Sequence, residues 1–415
     1  MSTARTVAIS APVASTAAAR VASIDIFRGL TIAVMIFVNE LAEVRGLPWW
    51  TYHAHGDQNV MTYVDMVFPF FLFIVGMSMP LSVEHRLKRN PSVARLWMHV
   101  LVRSFSLLVL GLILANADKA DPAHMPMNGD AWGLLALIGA CLYLNVYPKS
   151  GWWARNTPVW RGIGLLVLVA AFAILRGRAH DGQLVWIDFS YPEILGLIAF
   201  AYFTAALLYI PARRWKGTPL VVLVLMLGLN VAYTAKILVY PHWLSQYEWP
   251  FGNGSHTALV MAGILTVQIF LGVRPGTDER PPAKRATVVA LAFALLVFLA
   301  GWLTAPLGIS KIRATPTWTL WDISAAVLAF TLLYWICDQW QKNGWAGFVR
   351  PAGANTLLTY LLPDGLYFLL GAYGITTLNT HFQVGWPGVA KSVVFTFAML
   401  GLAWLLTRAR VRLQL

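Results

Sequence analysis

Long apolar runs recur along this chain, separated by short loops, and that pattern leaves few folds open. Twelve candidate stretches lie at roughly 22–41, 61–82, 97–115, 131–147, 160–176, 191–210, 218–239, 257–273, 286–305, 319–337, 353–371 and 389–407. Stretches of this length and apolarity are sized to the hydrocarbon core of a bilayer. A segment in lipid must satisfy its own backbone N–H and C=O groups, so each of these is expected to be a helix. Several are short or interrupted by glycine or proline, which keeps eleven crossings compatible with the pattern as well as twelve. Composition agrees: 58% of residues are hydrophobic, 12% are charged and the mean hydropathy is +0.63. A soluble domain carries about 25% charged residues. The expected fold class is therefore all-α, a polytopic membrane helix bundle of 11–12 transmembrane helices. One transmembrane domain over residues 21–415 follows a polar, small-residue stretch, 1–20, that reads as a flexible cytoplasmic tail.

The net charge of +13 raises nucleic acid as a partner, but the placement of the cations argues against it. Arg86, Lys88, Arg89 and Arg95 fall in one loop; Arg213, Arg214 and Lys216 in a second; Arg280, Lys284 and Arg285 in a third; Arg408, Arg410 and Arg412 follow the last run. These loops share one side of the expected topology. By the positive-inside rule that side is cytoplasmic, with both termini on it. Trp49, Trp50, Trp152, Trp153, Trp243 and Trp249 sit at span ends, where indoles anchor to the membrane interface. Cys141 and Cys337 lie inside apolar runs with no ligand-like spacing, and no metal site is expected from them.

The densest polar chemistry lies in residues 23–80. Asp25, Arg28, Asn39 and Glu40 fall within or at the ends of the first run, His53, His55, Asp57 and Asn59 follow in the loop, and Asp65 enters the second run. An ionisable group inside a span costs at least ~2.5–3.5 kcal/mol on insertion scales and calls for a partner or a function. Asp25 and Arg28, three apart, can pair along one helix side. An imidazole titrates near neutrality and can serve as general base or accept an acyl group. His55 precedes Asp65 by ten residues, and a carboxylate there can hold the imidazole's tautomer; a purely structural ion pair for Asp65 is the alternative.

The string SIDIFRGLTIAVMIFVN, followed by H-x3-N-x2-T-x2-D-x-VFP-x2-LFI-x-G, resembles the heparan-α-glucosaminide N-acetyltransferase family of polytopic acyltransferases, whose bacterial members are linked to N-acetylglucosamine use. The matching residues are Asp25, Phe27, Arg28, Gly29, Val38, Asn39, His55, Asn59, Thr62, Asp65, Phe68, Pro69 and Gly76. Gln58 and Val60 stand where that pattern carries Trp and Gly. Weaker echoes occur at Arg103-Ser104 with Asn116, and in GANTLLTY at 353–360.

The resemblance implies acetyl transfer from cytoplasmic acetyl-CoA to the amine of glucosamine or a glucosaminide on the outer side, with no metal. It places the protein in the inner membrane of a bacterium, where a homodimer would be unsurprising. His55 is then the catalytic residue, as base or transient acetyl carrier, with Asp65 orienting it, and His53 has no counterpart in the pattern. Arg28, Arg103 and Asn39 are the candidates for the acyl donor, since arginine suits phosphate. Asn59, Glu40, His256 and Asn355 are the candidates for the acceptor; for His256 a capping or packing role weighs more. A multi-pass transporter of amino sugars, or an O-acyltransferase of a surface glycan, is the competing expectation.

Overall fold

The computed structural model describes residues 21–179, 181–241, 252–276 and 279–414. The tail 1–20, His242, Trp243, Glu248 and Trp249 lie outside them.

The apolar runs are helices, as their need for internal backbone hydrogen bonds requires. In chain order they are α1 (Ala22–Ala42), α2 (Val67–Arg89), α3 (Val93–Ala117), α4 (Gly129–Leu144), α5 (Gly151–Ile174), α6 (Glu193–Ala212), α7 (Thr218–Thr234), α8 (Ser255–Leu271), α9 (Ala283–Thr304), α10 (Pro316–Tyr334), the short α11 (Arg350–Ala354), α12 (Thr356–Ala372), the single turn α13 (Thr377–Thr380) and α14 (Gly385–Arg408). Among the described residues, eight helices are long and apolar enough to cross a membrane; α4, α7, α8 and α12 are shorter apolar helices packed beside them. The chain is an integral membrane protein. The only strand pair among the described residues is a short hairpin, Gly177–Arg178 with Leu184–Val185.

Polar side chains set several helix starts. Ser92 accepts the backbone N–H of Arg95, and Asn128 accepts that of Ala131 at 2.8 Å, each satisfying a donor that a helix cannot pair internally. Apolar side chains then divide the surface. On α9, Val288, Leu295, Leu296, Leu299 and Leu303 are exposed, and Leu165, Leu166 and Val169 are exposed on α5. A continuous apolar exterior of this kind belongs against lipid. The centre of the bundle is α2 against α8, and its closeness has a cause. A Cβ added at Gly76 would run into the Val260 carbonyl, and one at Gly263 into the Phe73 carbonyl. Two facing glycines let the backbones approach, the small-residue packing typical of membrane helices.

The face that carries the start of α1 and the end of α14 is called the near face below. The opposite, far face carries the loop 43–66 between α1 and α2.

Candidate active site

The far-face loop is held at several points before it presents any chemistry. Arg45 N–H donates to the Gln383 carbonyl at 2.7 Å and Gly385 N–H returns to the Arg45 carbonyl at 2.9 Å. The Tyr52 hydroxyl donates to the Val44 carbonyl at 2.6 Å and accepts the Leu47 N–H at 3.1 Å, while Thr62 Oγ1 donates to the Tyr52 carbonyl at 2.8 Å. Asn59 accepts the backbone N–H of Ile309, tying this loop to the 308–315 loop that precedes α10. The result is a fixed backbone on either side of His53.

Asp65 is completely buried in the 3₁₀ turn Tyr63–Met66 that opens α2. Its Oδ2 accepts the Thr62 N–H at 3.0 Å, the Ala54 N–H at 3.3 Å and the Thr62 hydroxyl at 3.3 Å. Its Oδ1 meets Nδ1 of His53 at 2.8 Å. The Trp318 indole N–H donates to the Asp65 carbonyl at 3.3 Å, bringing α10 against the turn. A neutral imidazole bound in this way donates from Nδ1–H, which leaves the Nε2 lone pair as a base. His53 is 39% exposed on its side chain, so this base is open to the far face.

Lys311 brings an amine to the same ring, with Nζ 3.2 Å from Nδ1 and 3.4 Å from Nε2 of His53. Burial pushes the Lys311 ammonium below the ordinary lysine value, against the opposing pull of Asp65 and Asp322. Asp322 lies one turn after Trp318 on α10. It is fully buried, and neither carboxylate oxygen has a hydrogen-bond partner among the described residues. His256, in the first turn of α8, packs edge-on to Phe68 with ring centroids 5.3 Å apart.

Here the structure corrects an expected pairing. The imidazole on Asp65 is that of His53. The His55 side chain is exposed, and its backbone N–H donates to the Gln58 side chain at 3.0 Å. Three further expectations change for equally physical reasons. Glu40 is buried, paired with Lys391 of α14 at 2.9 Å and accepting the Tyr367 hydroxyl at 2.7 Å, so its charge is already met inside the bundle. Asn355 is buried, with its amide donating to Thr407 Oγ1 at 3.0 Å and to the Val411 carbonyl at 2.9 Å. Its oxygen accepts the Leu413 N–H at 3.1 Å, which fastens the segment after α14 rather than lining a site. Asn39 is exposed near the far end of α1, away from the cavity that groups the other two donor-site candidates.

That cavity, about 280 Å³, lies between α1, α2, α3, α6 and α12. Arg28, Ser78, Arg103, Ile198 and Tyr360 line it, with Gln414 at the near face. Arg28 donates to Ser78 Oγ at 2.6 Å and to the Gly353 carbonyl at 3.3 Å, and the expected pairing with Asp25 is present at 3.3 Å. The Arg103 guanidinium stacks on Tyr202, 4.6 Å from the ring centre. Its Nε is buried without a hydrogen-bond partner among the described residues, as is Nε2 of the neighbouring His99. Arg86 and Arg103 both lie within electrostatic range of His99. A guanidinium with a buried, open donor is suited to an anion.

Sequence reasoning left Lys311 and Tyr360 without roles and passed over Asp322. Asp322 carried a usable signal, since an acid within TLWDISAAV breaks an apolar span, and such residues are functional candidates by default. Lys311 carried none, because only the folded loop brings it to His53.

A family model described as a domain of unknown function (DUF5009) matches residues 20–237. The match takes in helices α1–α7, Asp65, both loop histidines and the two cavity arginines. The chain is also similar to heparan-alpha-glucosaminide N-acetyltransferase of Homo sapiens, at 39% identity over 99 residues, 24% of this chain and 14% of that protein. The protein of the same description from Mus musculus is 39% identical over 140 residues, 32% of this chain and 20% of the relative. The aligned part thus spans a fifth or less of either relative's length. Because the family model extends over more than half of its residues, the chain belongs to the family described as a domain of unknown function, DUF5009.

Proposed function

We propose that this protein is a transmembrane acetyltransferase that takes an acetyl group from acetyl-CoA at the near, cytoplasmic face and transfers it to the amine of glucosamine or a glucosaminide at the far face. The observation that carries this reading is the 2.8 Å contact between the buried Asp65 and the open His53, a base held in a set tautomer where an acceptor from outside can reach it. The two relatives, described as N-acetyltransferases, support the reaction class.

In this reading the role expected of His55 passes to His53. Nε2 of His53 receives the proton that the acceptor amine loses as the new C–N bond forms, and Asp65 stabilises the resulting imidazolium. His55, two residues on and exposed, flanks the acceptor. Arg28 and Arg103 hold the phosphates of the donor, and the open Nε donor of Arg103 fits that charge. Asp65 and the cavity residue Phe71 are six residues apart along the start of α2, about 9 Å at helical rise. A thioester arm entering past Arg103 has that separation to cross to reach the far-face pair.

The test is acetyl-CoA kinetics on detergent-purified protein. Losing a charged hydrogen bond costs about 1.5–3 kcal/mol, so Arg103→Ala is expected to raise the KM for acetyl-CoA about 10–100-fold, with glucosamine-dependent release of CoA retained at saturation. An unchanged KM removes the donor role of Arg103. Folded wild-type protein that releases no CoA, yet moves glucosamine into proteoliposomes, makes the chain a transporter instead.

A further inference from the structure

Lys311 poses a question that the proposed reaction does not use. A side-chain amine sits 3.2 and 3.4 Å from the two ring nitrogens of His53, the imidazole that Asp65 holds at 2.8 Å. The acceptor in the proposed reaction is also an amine, and it must reach this same imidazole to lose its proton. We propose that Lys311 Nζ occupies the acceptor-amine position beside His53, and that Lys311 is itself acetylated when no acceptor is present. This inference rests on the acetyltransferase reading of the site.

Three features of the surroundings favour it. The residue lies in the 308–315 loop, which Asn59 ties to the histidine loop through the Ile309 N–H, so the amine is held near the ring. Burial favours the neutral, nucleophilic form of the amine. The charged and titratable groups around it are Asp65 at the start of α2, His53 in the loop, Asp322 on α10 and His256 on α8. Among these, His53 is within hydrogen-bond reach to take a proton. In the step, the Nζ lone pair forms the bond to the acetyl carbon. The thioester C–S bond breaks with its electron pair leaving on sulfur. One Nζ proton passes to His53 and from there to the departing thiolate or to water. The product is a neutral amide on Lys311, which no longer presents a cation to Asp65 and Asp322.

The measurement is peptide mass spectrometry of the full chain in detergent after incubation with deuterated acetyl-CoA, with and without glucosamine. Exposed Lys149 and Lys216 report spontaneous acetylation. The expected result is deuteroacetyl on Lys311 well above its level on Lys149 and Lys216, suppressed by glucosamine. His53→Gln, which keeps an N–H toward Asp65 but cannot take a proton, is expected to slow the Lys311 label about 100-fold, a typical contribution of general-base catalysis. Glucosamine acetylated with Lys311 labelled no more than Lys149 overturns the inference and leaves the acetyltransferase reading standing. Equal Lys311 labelling in wild type and His53→Gln also overturns it, since the reaction is then spontaneous. Neither glucosamine nor Lys311 labelled overturns both.

Discussion

Asp65 gives each of its carboxylate oxygens a separate task. Oδ2 gathers two backbone N–H groups and a hydroxyl that fix the loop, and Oδ1 orients one imidazole. Asp65→Asn keeps the shape and a side chain suited to the turn but removes the charge that stabilises an imidazolium. It is expected to lower kcat for glucosamine acetylation about 100-fold or more, with the melting temperature changed little; steady-state kinetics beside a thermal melt checks both. The sequence pattern led to Asp65 directly, and to a histidine near it, but it aligned His55. What decides between the two histidines is the path of eleven intervening residues through a capped 3₁₀ turn and the tether at Tyr52. No spacing rule encodes that path. Arg28 and Arg103 were legible because cations inside or beside apolar runs are conspicuous, and the cavity groups both.

At the scale of helices, two contacts carry testable weight. The Glu40–Lys391 pair joins α1 to α14, and the Glu40 and Lys391 side chains are only 4% and 10% exposed. Breaking a buried pair leaves a lone charge in a low-dielectric site, so Glu40→Gln or Lys391→Met alone is expected to destabilise by about 3–5 kcal/mol. The double variant is expected to recover most of that loss, and denaturation in detergent distinguishes the two patterns. On sequence, Glu40 read as a charge for the acceptor, because its partner lies 351 residues further along the chain. At the α2–α8 crossing, Gly76→Leu places a side chain where the Val260 carbonyl runs. Loss of the folded monodisperse peak in size-exclusion chromatography is expected, whereas a surface change such as Leu296→Ala on α9 leaves that peak in place. The helices themselves were readable from apolar length. Their neighbours were not, because pairings such as α2 with α8 depend on facing glycines far apart in the chain.

Across the whole molecule, the bundle separates two chemistries. Arg28 and Arg103, the latter with an open Nε donor, line a cavity toward the near face, and an oriented imidazole with a carboxylate and an amine stands at the far face. In the proposed orientation, the near face with its cationic loops lies in the cytoplasm. A cysteine introduced at exposed Gln58 in the far-face loop is therefore expected to react with an impermeant maleimide in intact cells, while one at exposed Arg410 reacts only after lysis. The opposite labelling would invert the proposed direction of transfer. The most direct test of the central claim is thiol release from acetyl-CoA by purified wild type, His53→Ala and His55→Ala, each with and without glucosamine. The account predicts glucosamine-dependent release by wild type, a loss of about 100-fold or more in His53→Ala, and a much smaller loss in His55→Ala. Folded His53→Ala protein that releases CoA at the wild-type rate would contradict it.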